Sequence, residues 1–207
     1  MSSITSALTE IAPEISSFGA GGQMYMASIW TGFNIRNDLI NPLFAFNAND
    51  SGRENAAQLT NLMETRKIGS TMAFRANRVG FRVLCFKDDP EPADIEAMKQ
   101  LLASAIITIT VGNNETKIAE FSGLDLMQPI DAAAYDATNT TSVNSGLGGG
   151  IGWIPLQIPV ELQANVNIGG TVRFTRAIPS ALKPAQDTDP ALFGFVVIMQ
   201  GLKVVKS

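Results

Sequence analysis

Three arginines stand three and four residues apart at Arg75, Arg78 and Arg82. Residues 66–87 around them also carry Arg66, Lys67 and Lys87 and contain no acid. A cationic strip of this kind can bind nucleic acid or the acidic surface of an identical neighbour, or simply be a solvated strand face. Residues 118–172 are its opposite, with Glu120, Asp125, Asp131, Asp136 and Glu161 and no base. Two complementary segments on one chain favour head-to-tail contacts between copies, which close into rings or shells. Two features argue against direct nucleic-acid binding: the formal net charge is -4, and no aromatic array interleaves the arginines.

Other clusters are weaker. Gly146-Leu-Gly-Gly-Gly-Ile-Gly152 has the composition of a phosphate loop but not its register, and it runs into Trp153-Ile-Pro155, a strand rather than a helix. Asp88, Asp89, Glu91, Asp94 and Glu96 could hold a hard cation, yet acids around a helix start are already explained by capping and the helix dipole. Cys85 is in register with Val79, Phe81 and Val83 and reads as a buried, inert thiol. The chain has no histidine and one cysteine. That excludes a Ser-His-Asp triad, a Cys-His pair, His-ligated zinc and an internal disulfide. No cofactor or metal is expected, and neither is an enzyme.

Composition points the same way. Of 207 residues only 16% are charged, while 45% are apolar. A free soluble domain usually carries about 25% charged residues. Surface so poor in charge is expected to be covered by neighbours. Met1–Glu10 lack the basic and apolar regions of a signal peptide, and neither Leu101–Val111 nor Gly146–Val160 makes a credible membrane span.

The elements that must position these residues are mostly strands. Residues 1–22 read as an arm, with Ile4, Leu8, Ile11 and Ile15 at helical spacing, Pro13 as an interruption and Phe18-Gly-Ala-Gly-Gly22 as a flexible end. Met24–Arg36 alternates as a strand. Asn41-Pro42 and residues 47–52 are loop chemistry, and Ser51-Gly-Arg-Glu54 has capping-box spacing for a helix over 53–66. Residues 70–86 return to strand. Their apolar face switches between Phe74 and Val79, which predicts a turn or bulge near Ala76-Asn77. Arg78 and Arg82 then share one face, and a bulge would add Arg75 to it.

Pro92 opens a second helix with the stripe Ile95, Met98, Leu101 and Leu102. Ile106–Val111, a turn at Gly112-Asn113-Asn114 and Thr116–Phe121 form a hairpin. A long loop spans 129–152. Ile154–Leu162 alternates, but Pro155 and Pro159 mark it as a sheet edge or an irregular strand. Thr171–Thr175, a loop over 179–190 and Leu192–Val205 complete the chain, with Gly201 as a kink. The expected fold is mainly β: an antiparallel β-sandwich, a jelly roll of about eight strands with two short inserted helices. Residues 1–22 form the arm and 23–207 one jelly-roll domain.

This layout resembles the single jelly-roll capsid proteins of viruses and bacteriophages. The resemblance rests on Met24-Tyr-Met-Ala-Ser-Ile-Trp-Thr-Gly-Phe33, Ile154-Pro-Leu-Gln-Ile-Pro-Val-Glu-Leu162 and Phe193-Gly-Phe-Val-Val-Ile-Met-Gln-Gly-Leu202 as early, late and closing strands. It implies a structural virion protein, made in the host cytoplasm, that self-assembles with identical subunits and other virion proteins, sometimes over an internal membrane. Many such proteins carry a basic arm that touches the genome; residues 1–22 hold no Lys or Arg. In the assembled shell, Arg75, Arg78 and Arg82 would face Asp125, Asp131 and Asp136 of a neighbour. The main alternative is a β-sandwich receptor- or carbohydrate-binding module, which should cluster its exposed aromatics; Tyr25, Trp30, Tyr135 and Trp153 are scattered. A hydrolase working through paired carboxylates is the third reading, with no pair singled out by spacing.

Overall fold

Among the described residues, eight strands alternate between two four-stranded antiparallel sheets. The computed structural model describes residues 23–69, 72–126 and 153–205. The strands are β1 (Gln23–Asn34), β2 (Ile40–Pro42), β3 (Met72–Cys85), β4 (Ala105–Val111), β5 (Thr116–Ser122), β6 (Trp153–Leu162), β7 (Ile168–Phe174) and β8 (Phe193–Val205). One sheet has the order β1-β8-β3-β6 and the other β2-β7-β4-β5. Only β4 and β5 are consecutive neighbours in one sheet; the remaining connections cross the sandwich. This is the jelly-roll order, two Greek keys wrapped on each other.

β8 explains its own sequence. It lies between β1 and β3, and its residues from Phe193 to Met199 are all buried. A strand covered on both faces needs no polar alternation, hence Phe-Val-Val-Ile-Met. Phe195 and Val197 face the other sheet. Phe33 and Phe81 stack on Phe195 at centroid distances of 5.5 and 5.9 Å, and Phe174 meets it edge-on at 6.3 Å from across the sandwich. Such contacts lock the two sheets in one register.

The face switch in β3 is a bulge, not a turn. Register against β8 shifts between Ala76 and Arg78. Gly201 sits opposite, where a Cβ would lie 1.8 Å from the Arg75 carbonyl oxygen. The glycine is therefore required by the close approach of the bulged backbone. Against β6 the offset is larger: Ala76 pairs with Val160 and Arg78 with Pro155. Pro155 and Pro159 thus lie on an irregular strand at the sheet edge, where missing N–H donors are tolerated.

The inserted helices are α1 (Ala56–Leu59), α2 (Pro92–Ala103) and, following β5, α3 (Gly123–Leu126). α2 starts as its sequence requires: the Asp94 carboxylate accepts the Glu91 amide and the Lys87 ammonium, both at 2.8 Å. Its stripe Ile95, Met98, Leu101 and Leu102 is buried. The β4–β5 turn has Gly112 at φ 83°, as its hairpin requires.

Three expectations need correction. The helix over 53–66 shrinks to the single turn of α1, because Asn55 takes φ 60° and no side chain caps the start. Residues 60 and 61 leave the helix to bond β1 instead. The Asn41-Pro42 loop includes β2, which pairs with β7. Cys85 is exposed, because burial along its face falls from Val79 through Phe81 and Val83 to the strand's end.

Candidate assembly surface

The outward face of the β1-β8-β3-β6 sheet carries the arginines. Arg75, Arg78 and Arg82 pair in register with Leu202, Gln200 and Val196, alternate residues of β8 that share one face. The bulge therefore brings all three together on the side away from the core. Their chemistry differs. Arg75 stands opposite Glu161 of β6, with Nε 3.6 Å from the carboxylate, and so is neutralised within its own sheet. The Nε of Arg78 donates to Gln200 Oε1. Arg82 is exposed and has no hydrogen bond or ion pair among the described residues. Of the acids expected opposite them, Asp125 falls in α3, while Asp131 and Asp136 lie outside the described residues, as do the arm 1–22 and the glycine cluster 146–152.

Part of this outward face is covered by the chain itself. Phe46, Ala56 and Leu59 pack on Val196 and Ile198, with Trp30 and Leu84 at their margin. The cover is fixed by polar bonds to β1: Trp30 N–H donates to Asn61 Oδ1 at 2.9 Å, and Asn61 Nδ2 donates to the Ser28 carbonyl at 2.8 Å. Beside the cover lies a groove of about 460 Å³. Trp30, Leu84, Val196 and Ile198 give it an apolar lining, and Ser28, Gln58, Arg82 and Gln200 add polar groups.

The four sheet edges are not alike. β6 has two prolines. β2 is three residues long. β5 carries Lys117 and Glu120, paired with each other at 3.2 Å. Short length, proline and charge all discourage a further strand from adding. β1 has none of these. Gln23–Ile35 contains no charge and no proline. From Ser28 onward its edge is occupied by Asn61 and Thr60. From Gln23 to Ala27 no described residue pairs with that edge. Met24, Tyr25 and Met26 there are 42, 45 and 58% exposed, and Lys203 lies 5.9 Å over the Tyr25 ring.

A polar hub that the sequence did not reveal lies in the loops. Arg36 donates to the Asp187 carbonyl at 2.7 Å, the Asp189 carbonyl at 3.2 Å and Glu54 Oε2 at 3.1 Å. Glu54 also accepts the Ala191 amide at 3.1 Å. The 179–190 loop is thereby tied to its own chain. Contacts 151 residues apart leave no local pattern to read.

No family model matches the chain, and no curated protein matches it. Among solved structures it is similar to the acidic stable capsid structure of Helicobacter pylori bacteriophage KHP30. That alignment covers 90% of this chain and 94% of that one, at 9% identity and a TM-score of 0.32. A likeness of this size carries nothing about function; the jelly roll stands on the strand order itself.

Proposed function

We propose that this protein is a structural subunit that assembles with copies of itself, and that the assembly is the shell of a virion. The observation that carries the reading is the β1 edge. A stretch of uncharged, half-exposed strand with unpaired N–H and C=O groups is a template for another strand, and a protein that stays single protects such a stretch. The three other edges are protected, and among the described residues nothing protects residues 23–27 of this one. The low charge of the chain and the jelly-roll order agree with a shell subunit, as does the resemblance in layout. Arg75 and Arg78 are engaged within the chain, so the contact is assigned to the β1 edge before the arginine face.

No enzymatic step is part of this reading. Mass photometry of the purified protein across concentration and salt tests it. Discrete oligomers or closed shells are expected, and a monomer under every condition contradicts the proposal. Turnover in a glycoside screen would instead revive the carboxylate hydrolase.

A further inference from the structure

We propose that residues 1–22 fold back and fill the groove on the outward sheet face of their own chain, completing the cover that residues 45–59 begin. Three observations converge on this occupant.

The first is chemistry. The groove is mostly apolar, and its one cation, Arg82, has no partner among the described residues. Residues 1–22 carry the aliphatic stripe Ile4, Leu8, Ile11 and Ile15 and two charges, Glu10 and Glu14, both acidic. Leu8 and Ile11 seated against Trp30 and Ile198 would leave Glu10 or Glu14 to meet Arg82. A carboxylate there gives the guanidinium the partner it lacks.

The second is reach. Gln23 begins β1, and the groove lies at Ser28 and Trp30 of the same strand. Five to seven residues at ~3.3 Å each place it roughly 17–23 Å away. Ser16–Gly22 span at most about 25 Å when extended, so Ile15 and everything before it can return to the groove. Gly21 and Gly22 allow the chain to reverse next to Gln23.

The third is tethering. A segment joined by so short a link is present at its own groove at an effective concentration of order millimolar, which favours it over the same segment of a second copy. The site is separate from the β1 edge, so the arm can dock whether or not the protein assembles.

Trp30 reports on the groove. With Trp153→Phe, it is the sole tryptophan of the full-length chain. The expected result is blue-shifted emission with weak acrylamide quenching, the same at every protein concentration. Leu8→Asp with Ile11→Asp should shift emission to the red and raise quenching. Arg82→Glu should act in the same direction, and Glu10→Arg with Glu14→Arg should restore the original signal in that background. The restoration excludes simple misfolding. Emission unchanged by the arm substitutions overturns the proposal. So does failure of the charge swap to restore the signal. Quenching that falls as protein concentration rises assigns the occupant to a second copy and overturns it too. None of these readings depends on assembly, so a monomeric protein with a filled groove would defeat the shell reading alone.

Discussion

The β1-β8-β3-β6 sheet has two edges that treat the same problem differently. β6 is broken in register and lacks two N–H donors, at Pro155 and Pro159. β1 is regular for twelve residues against β8 and has no charge or proline. Its second half is sealed by Thr60 and Asn61, while its first half exposes Met24, Tyr25 and Met26. Among the described residues the sheet thus guards one edge and leaves half of the other regular and apolar, which is the asymmetry that the proposed assembly uses. The contrast teaches that poverty of charge alone says little; what matters is where along the sheet it falls, and here it falls on a strand edge.

The largest expected effect removes the element that creates the contrast. Gly201→Val forces a side chain into the Arg75 carbonyl, so the bulge that displaces β6 cannot form. Loss of about 3 kcal/mol or more is expected, read as a fall in the urea midpoint. Next, Met26→Lys gives the β1 edge the charge that β5 already has. Fold stability should change by less than about 0.5 kcal/mol, while association weakens at least tenfold, about 1.4 kcal/mol, in analytical ultracentrifugation.

A smaller change belongs to the β6 side. Glu161→Ala leaves Arg75 without its carboxylate. Because Glu161 is about half exposed, the expected loss is only about 0.5–1 kcal/mol by denaturant titration, with no change in oligomer size. The smallest concerns a site near neither edge. The hydrogen bond from Lys87 to Asp94 raises the lysine above its ordinary 10.5. A folded-state value above the unfolded one stabilises below pH 10.5 and is lost as pH rises through the raised value. The melting-temperature difference between wild type and Lys87→Met should therefore hold across neutral pH and close only in strong alkali, with association unaffected.

Much of this was legible along the chain. Alternation marks β1 and β6, the face switch at Phe74–Val79 marks the bulge, and Pro155 and Pro159 mark an edge, because each is a local backbone constraint. What stayed hidden depends on partners far away in sequence. Cys85 keeps the buried parity of β3, but burial on that face fades towards the strand's end and leaves it exposed. The spacing at Ser51–Glu54 suits a helix, yet Thr60 and Asn61 bond β1 thirty and more residues away. The arginine face could be read from its spacing. Its neutralisation could not, because the Arg75–Glu161 pairing requires the register of an irregular strand.

The central claim is that β1 pairs with another copy through residues 23–27, and amide hydrogen exchange of assembled against dissociated protein tests it most directly. The account predicts that the amides of Met24 and Met26 slow strongly on assembly while those of Lys117 and Ile118 on the charged β5 edge do not. Equal exchange at Met24 and Met26 in both states, with the protein demonstrably assembled, would contradict it.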